Sequence, residues 1–362
     1  IINCHIYIIK HNSYIIHMTI IDSDPKLDFH NVLIRPKRST INSRSQVDLT
    51  RKFTFRNAKN VSWEGVPVIA ANMATTGTLE VYEVLKTYKM ITALHKFYTL
   101  EDLKNYQETN GVTLDPNYFM ISTGMSDANY ENLCNIINNM ECKWICIDIA
   151  NGYLTQFVEY CKKVRDTFPN HIIVAGNVAT REMVEELILN GGVDIVKVGI
   201  GPGSACTTRK KTGVGMPQLS AVLECADAAH GAEGHIICDG GITCPGDMSK
   251  AFCGGADFVM MGGQFAGHDE NPGEIVEKVV QGNPNELKKF KLFYGMSSAH
   301  AMQTHYGKME KYRSSEGKAV LIPYKGALCD TVDDFLGGVR STCTYINARV
   351  IKNMPKCTTF VL

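Results

Sequence analysis

Eight short apolar runs, separated by helical patterns, constrain the fold of this 362-residue chain more than any other feature. They cover residues 66–72, 91–96, 118–124, 144–150, 171–178, 194–200, 235–241 and 257–263. Continuous apolar runs of this length are typical of parallel strands buried on both faces. Helical periodicity fills the intervals, for example at 154–168, 181–189 and 217–230. The succession predicts a closed (β/α)8 barrel, with a doubly wound open sheet as the alternative.

The segments around these eight units have their own patterns. Residues 1–17 are too short and too often interrupted by polar residues for a membrane span, and they lack a signal-peptide cleavage site. We therefore expect residues 1–20 to be a disordered or artefactual leader, with Met18 as the candidate start, and 21–362 to form one catalytic domain. Residues 27–56 predict a polar arm that packs over that domain. Residues 265–325 predict an irregular flap, and 331–350 a helical tail that Gly337 and Gly338 interrupt.

Composition narrows the class of partner. Lys plus Arg and Asp plus Glu both number 37, so the net charge is zero and nothing indicates nucleic acid or an anionic membrane surface. A hydrophobic content of 44% supports a large core and a small-molecule partner. The 13 cysteines include no C-x-x-C pair, and we expect Cys142 and Cys146 to flank a strand rather than bind metal. This usage indicates the reducing cytoplasm.

One cysteine stands apart from the others because a glycine-rich loop presents it. Three glycines and a proline lie at the end of the run 194–200 and directly after it. They are Gly199, Gly201, Pro202 and Gly203, and they lead to Cys206. Such a loop allows close approach to a ligand, whereas most cytoplasmic cysteines are inert buried hydrophobes. Cations lower the pKa of a thiol, and Arg209, Lys210 and Lys211 follow directly. Thr207 and Thr208 supply hydroxyls for proton relay, so we predict that Cys206 is a nucleophile.

Other polar residues also follow strand ends, where barrel enzymes build their sites. They are Asn72, Lys96, Asp148, Asn177 and Asp239. Asp239-Gly-Gly241 ends one run and Gly262-Gly263 ends the next, which is the usual position of a phosphate site in such barrels. We expect these side chains to converge with Cys206.

These residues, with Tyr294-Gly-Met-Ser-Ser298 and Tyr312-Arg-Ser-Ser-Glu-Gly-Lys318, form a set that closely resembles the IMP dehydrogenase/GMP reductase family over about residues 24–359. The family's dehydrogenases usually carry an inserted regulatory domain of roughly a hundred residues after the second barrel unit. None stands between Lys96 and the third run, so the resemblance implies the reductase reaction. In that reaction GMP and NADPH give IMP, ammonia and NADP+. IMP dehydrogenase remains the alternative.

The resemblance also implies roles for individual residues. The catalytic group would be Cys206, which forms a thioimidate at purine C2, with Thr208 and Glu316 for proton transfer. Substrate would bind to Ser204, Asp239, Gly240, Gly241, Gly262, Gly263, Gly295, Met296, Ser297, Arg313, Ser314, Ser315 and Gly317. NADPH would lie against Lys96, Asp148, Ile149, Ala150, Ile200, Gly201 and Tyr312, and, across a subunit boundary of a homotetramer, against Ser43, Arg44, Arg313, Ser341, Thr342, Cys343 and Thr344. A potassium ion would sit on carbonyls of Gly201, Gly203 and Cys206, near Arg209.

Two further features bear on the activity. Glu316 suits the purine N1–H and 2-amino groups, while Arg44 and Arg313 offer forked donors that suit a 2′-phosphate and favour NADPH over NADH. Where the family usually reads Asn-Met-Asp-Thr, this chain reads Asn72-Met-Ala-Thr75. The carboxylate missing at Ala74 would stand near the substrate and nicotinamide. A weakly active nucleotide-binding paralogue is therefore a further alternative.

Overall fold

The computed structural model of the chain describes residues 21–280, 283–306 and 315–362. The predicted leader, residues 1–20, lies outside the described residues. Within the described part, no helix is both long enough and apolar enough to cross a membrane.

Eight parallel strands close into a barrel. They are β1 (Val68–Ala70), β2 (Ile91–Leu94), β3 (Phe119–Thr123), β4 (Trp144–Asp148), β5 (Ile172–Val178), β6 (Ile195–Val198), β7 (His235–Asp239) and β8 (Phe258–Met261). Each strand pairs with the next, and β8 pairs with β1 through Val259 and Val68. The predicted (β/α)8 barrel is confirmed. The open-sheet alternative is wrong, because the β8–β1 ladder leaves the barrel without an edge.

Eight helices surround the strands. They are α1 (Leu79–Thr87), α2 (Leu100–Asn110), α3 (Asp127–Asn139), α4 (Thr155–Thr167), α5 (Arg181–Leu189), α6 (Gln218–Gly231), α7 (Pro245–Cys253) and α8 (Leu328–Ile346). Polar caps begin several of them: the Thr99 hydroxyl accepts the Asp102 N–H, and the Asp102 carboxylate accepts the Thr99 N–H. Only α2 lies between β2 and β3, so the second unit carries no inserted domain.

The N-terminal mouth of the barrel is closed by an antiparallel hairpin, Arg51–Thr54 with Ser62–Gly65. Its buried Phe53 and Trp63 pack on Trp144 and Phe258 inside the barrel, with the Phe53 and Phe258 ring centroids 4.3 Å apart. The expectation of a wholly polar arm is therefore wrong at its end. Only alternate hairpin residues are apolar, and the flanking basic residues obscured that short alternation.

The rest of the arm lies along the barrel wall. Its short helices cover Phe29–Asn31 and Arg44–Gln46, and its strand Leu33–Ile34 pairs with Phe360–Val361 at the chain end. The remaining short helices are Thr208–Thr212, Gly263–Phe265, Ile351–Asn353 and Met354–Cys357.

Two buried aspartates bind basic side chains at the N-terminal end of the barrel, and each lies just before a strand. Asp194 binds the Arg165 guanidinium at 2.5 Å, and Asp257 binds Arg51 at 2.7 Å. The His230 ring adds a contact of 2.8 Å to Asp257, and this hydrogen bond raises the pKa of His230. Unpaired buried carboxylates are costly, so these partners fix how the arm and α4 meet the barrel.

The flap between β8 and α8 is more ordered than its composition predicts. Strands Val276–Val280, Asn283–Tyr294 and Ala319–Pro323 form an antiparallel sheet, and a helix covers Ala299–Tyr306. The expectation of an irregular segment is therefore wrong. The strand pattern was hard to see because Lys291 occupies an inward position of the central strand. Its buried ammonium donates to the carbonyls of His268 and Asn271 at 2.9 and 2.7 Å. A lysine at an inward position hides the alternation that marks a strand.

Two other expectations need correction. Helix α8 runs uninterrupted through Gly337 and Gly338, and a Cβ at Gly338 would overlap Pro245 of α7. The pair therefore marks a close helix contact rather than a break. Cys146 lies within β4 and is fully buried, so it does not flank the strand as Cys142 does.

Candidate active site

A cavity of about 310 Å³ opens at the C-terminal ends of the strands, at the lower end of the size range of small-molecule sites. All the side chains expected to converge with Cys206 line this cavity except Lys96. The predicted residues that line this cavity are Asp148, Ile149, Ala150, Ile200, Gly201, Gly203, Ser204, Cys206, Thr208, Asp239, Gly240, Gly241, Gly262, Gly263, Gly295, Met296, Ser297, Glu316 and Gly317.

A row of three side chains lies beside the cavity. The Cys206 Sγ donates to the Thr208 Oγ1 at 3.2 Å, and that hydroxyl donates to the Glu316 Oε2 at 2.7 Å. Both hydrogen bonds point the same way, from the thiol to the hydroxyl and from the hydroxyl to the carboxylate. A proton leaving the thiol therefore has a path through the hydroxyl to Glu316.

Main-chain pairing brings Glu316 to the cysteine loop although 108 residues separate it from Thr208. The returning flap segment runs antiparallel to the loop, with Cys206 opposite Gly317. The Thr207 N–H donates to the Glu316 carbonyl at 2.8 Å, and the Lys318 N–H donates to the Ala205 carbonyl at 2.9 Å. The flap thus completes the row of Cys206, Thr208 and Glu316.

Thr207 takes a different role from the predicted one. Its hydroxyl donates to the Ser315 carbonyl at 3.3 Å, so it anchors the flap and takes no part in the row. Only Thr208, one residue further along, has its hydroxyl between the thiol and the carboxylate.

The backbone conformation and close packing explain why glycines follow β7 and β8. Gly240 and Gly241 have φ of +87° and +79°, a region that residues with a Cβ rarely adopt. At Gly263, a Cβ would lie 2.6 Å from the Ser204 Oγ, so a side chain there would push apart the cysteine loop and the turn after β8. Both turns expose main chain to the cavity, as a phosphate site requires.

A buried lysine at the floor of the cavity was missed by the sequence reasoning. Lys197, in the middle of β6, is 1% exposed, and its ammonium binds the Asp148 Oδ1 and lies 3.5 Å from the Asp239 Oδ2. The available signal was a single charged residue inside the apolar run of β6. Asn177, at the end of β5, donates from its Nδ2 to the Asp239 Oδ2 at 2.9 Å.

The charges of this cluster support one another. Burial by itself would raise the pKa of Asp148, but the nearby Lys197 ammonium outweighs it and holds that pKa below its ordinary value. Burial by itself would lower the pKa of Lys197, but the charges of Asp148 and Asp239 hold it above its ordinary value. Asp148 and Lys197 are therefore both charged at neutral pH. Burial raises the pKa of the neighbouring Cys146 thiol to about 12, so it stays protonated.

Several predicted residues lie outside the cavity lining. Lys96 lies close enough for its charge to act on Asp148, and the Ser315 Oγ donates to the Gly317 carbonyl at 2.9 Å. Ser43 and Arg44 lie beside α8, which carries Ser341, Thr342, Cys343 and Thr344. The Cys343 side chain is fully buried in the core, so only its main chain is available to a ligand. Tyr312, Arg313 and Ser314 lie outside the described residues.

The potassium site at the cysteine loop stays a prediction. Main-chain carbonyls form the predicted donor set, without a carboxylate, and such a set does not suit a divalent metal. The Gly203 carbonyl already accepts the Cys206 N–H at 3.0 Å. Arg209 lies against Gly201 and donates to the Met216 carbonyl, so its guanidinium is a neighbour rather than a ligand. Within the described ranges, no cluster of three His, Cys, Asp or Glu side chains suits a metal.

A closed (β/α)8 barrel with a thiol, a hydroxyl and a carboxylate in one row at its C-terminal mouth is the architecture of a barrel enzyme. Comparison with known proteins gives the family. Residues 26–362 match the model of the IMP dehydrogenase / GMP reductase domain. The chain is 55% identical to GMP reductase 2 of Bos taurus over 94% of this chain and 95% of the relative. It is also 55% identical to the GMP reductase of Aeromonas hydrophila (94% and 96%) and 53% identical to that of Caenorhabditis elegans (94% and 93%).

The chain therefore belongs to the IMP dehydrogenase/GMP reductase family, a family of oxidoreductases. The resemblance inferred from the cysteine loop and the flap motifs is confirmed.

Proposed function

We propose that this enzyme catalyses the NADPH-dependent reductive deamination of GMP to IMP, with release of ammonia, through a covalent intermediate on Cys206. The row Cys206–Thr208–Glu316 is the observation that carries the proposal. The names of the relatives, from mammals to bacteria, support the substrate.

The first half of the reaction uses the row in one direction. The proton of the Cys206 thiol passes to the Thr208 hydroxyl, whose own proton passes to Glu316, and the thiolate attacks purine C2. The 2-amino group then accepts a proton back along the same route and leaves as ammonia. The bond from sulfur to C2 replaces the bond from nitrogen to C2, so the proton lost by sulfur is the one that ammonia gains. A thioimidate remains on Cys206.

The cofactor completes the reaction: NADPH, when bound, supplies a hydride to C2 as the carbon–sulfur bond breaks. Asp148, Ile149, Ala150, Ile200 and Gly201 would hold it, since all line the cavity that Cys206 faces. The departing sulfur returns as thiolate and takes a proton again. Lys96 would lie beside the same subsite, because its charge already acts on Asp148.

The nucleotide would be held at the other side of the cavity. Asp239 would accept hydrogen bonds from ribose hydroxyls, and the turns at Gly240–Gly241 and Gly262–Gly263 would bind phosphate through main-chain N–H groups. Glu316 lines the cavity, where its carboxylate can face the purine N1–H. Ser204, Gly295, Met296 and Ser297 would enclose the rest of the nucleotide.

Two alternatives remain. IMP dehydrogenase is disfavoured because no regulatory domain separates β2 from β3. A weakly active paralogue is disfavoured because Cys206, Thr208 and Glu316 are all present and hydrogen-bonded in one row. The Ala74 N–H lies 3.3 Å from the Sδ of Met296, a residue of the cavity lining.

The test is a pair of absorbance assays on purified protein, with one matched variant. We expect oxidation of NADPH with GMP, release of ammonia, and no reduction of NAD with IMP at a comparable rate. Cys206→Ala should still bind GMP, since ribose and phosphate contacts are untouched, yet release no ammonia. Turnover of that variant within about tenfold of the parent, a barrier change of only about 1.4 kcal/mol, would rule out the thiol as nucleophile.

The assembly completes the proposal. None of Ser43, Arg44 and residues 341–344 lines the cavity of its own chain, so their predicted cofactor contacts require a neighbouring subunit. Tyr345, 65% exposed on α8, adds apolar surface beside them. We therefore propose a cytoplasmic homotetramer that binds potassium at the cysteine loop. If light scattering showed that the fully active enzyme is a monomer, the shared cofactor site would be contradicted.

A further inference from the structure

The proposed reaction leaves one charged group without a role. Lys197 is almost completely buried, and its ammonium lies between the carboxylates that end β4 and β7. Asp148 lies at the expected cofactor side and Asp239 at the expected ribose side. One cation is therefore shared by two subsites.

The contacts divide the oxygens of Asp239 between the protein and the cavity. Its Oδ2 accepts from the Asn177 Nδ2 at 2.9 Å and lies 3.5 Å from the Lys197 Nζ. Among the described residues, no side chain donates to its Oδ1, and the residue lines the cavity. Inner donors thus hold one oxygen and leave the other for a ligand. The Asp148 Oδ1 binds Lys197 in the same way, and the nearby Asn72 side chain also helps to lower the pKa of this carboxyl group.

Charge balance depends on this ammonium. Two carboxylates a short distance apart repel each other, and burial further disfavours their ionised forms. Among the described residues, the other titratable groups that face the cluster are Lys96, whose charge acts on Asp148, and the Cys146 and Cys238 thiols, which burial keeps protonated. None of them replaces an ammonium in contact with both carboxylates.

We propose that Lys197 is a positioning residue that keeps Asp239 and Asp148 ionised and oriented, so that ribose and cofactor meet charged carboxylates rather than neutral acids. The inference rests on the proposed function in one respect, the assignment of Asp239 to the ribose of GMP. It adds a residue that touches neither ligand and acts on both subsites.

The experiment measures GMP binding by titration calorimetry between pH 5.5 and 8.5. Lys197→Met keeps the length of the side chain and removes the charge. Its affinity for GMP at pH 7 should fall by about tenfold or more, because a neutral acid is a weaker acceptor than a carboxylate. Affinity should recover as the pH rises, since a tenfold loss at pH 7 requires that the freed carboxyl group titrate above pH 7, as carboxyl groups buried without a cation can. NADPH binding should show the same displaced acid limb.

Two further variants separate positioning from folding. Lys197→Arg keeps the charge and should bind GMP within about threefold of the parent, with the parent's pH profile. Lys291→Met removes another buried lysine, one that binds carbonyls rather than carboxylates. It should lower Tm without displacing the acid limb. If Lys197→Met does not fold, Lys197→Gln takes its place, and if both fail, Lys197→Arg decides.

The outcomes are distinct. A folded Lys197→Met or Lys197→Gln protein with the parent's affinity and pH profile overturns the inference alone. Loss of binding in Lys197→Arg as severe as in the neutral variant overturns it too, because charge would then not be what matters. A parent protein that binds no GMP overturns the proposed function, and the inference with it.

Discussion

At the scale of single residues, the position of one hydroxyl decides how the site works. Thr207 and Thr208 are neighbours of the same type, yet Thr207 binds a flap carbonyl while Thr208 links the thiol to Glu316. The short helix Thr208–Thr212 begins at this point, which turns the two side chains in different directions. The chemistry therefore depends on one hydroxyl of the pair.

Thr208 offers a substitution that keeps shape and removes the proton path. Thr208→Val is nearly isosteric, and we expect ammonia release to fall by about 10²–10⁴-fold, the usual contribution of a general acid–base group. Thr208→Ser keeps the hydroxyl and should stay within about tenfold of the parent. GMP affinity, measured by calorimetry, should change little in either variant. Equal turnover of the Val and Ser variants would show that Glu316 exchanges protons by another route.

At the scale of elements, a glycine allows two helices to pack closely. Helix α8 crosses α7 at Gly338, and Pro245 lies where a Cβ would be. The adjacent Gly337 has no atom within 4 Å of its Cβ position. This contact sets how closely the last helix packs on the barrel after the flap returns.

The glycine pair is a matched test of that contact. Gly338→Ala should lower the free energy of unfolding by about 1–3 kcal/mol, since a new methyl group must push α7 and α8 apart. Gly337→Ala should instead raise it by about 0.5–1 kcal/mol, because alanine has the better helix propensity and open space. Denaturant unfolding of both proteins measures the difference. A similar change in both variants would mean that α7 and α8 are further apart than described.

At the scale of the whole molecule, buried histidines make the folded state sensitive to acid. Burial lowers the pKa of His95 to about 4, with the charge of His305 as a second cause, and burial also lowers the pKa values of His171, His268 and His305. The unfolded chain binds protons near pH 6.5, where these folded groups do not. Stability should therefore fall as the pH drops below about 6.5.

His95 and His230 test this sign in opposite directions. His95→Gln should flatten the loss of stability between pH 6.5 and 5, by at most about 1.4 kcal/mol per pH unit, which corresponds to one proton. The hydrogen bond to Asp257 raises the pKa of His230, so its contribution is present below about pH 6.5 and lost as the pH rises. His230→Gln should remove that part of the decline on the alkaline side. Tm measured across pH for the three proteins decides, and parallel curves would contradict both assignments.

The sequence by itself determined the barrel and the location of its site. Eight apolar runs alternate with helical periods, and both patterns reflect contacts that each segment must make whatever its partners are. The polar residue that ends a run, such as Asp148 or Asp239, necessarily faces the C-terminal mouth once the strands are parallel. The loop that presents Cys206 is also local, because its glycines and proline act on their own backbone angles.

Only the tertiary structure decided which of these residues act together. Pairing of the flap with the cysteine loop places Glu316 beside Thr208 rather than Thr207, and no local pattern encodes a contact 108 residues away. Closure of the barrel buries Lys197 between two strand-end carboxylates, so a residue that breaks an apolar pattern becomes the centre of a charge cluster. Lys291 is likewise acceptable inside the flap only because folding brings carbonyls to its ammonium. A buried polar group requires partners, and partners distant in sequence exist only after the chain has folded.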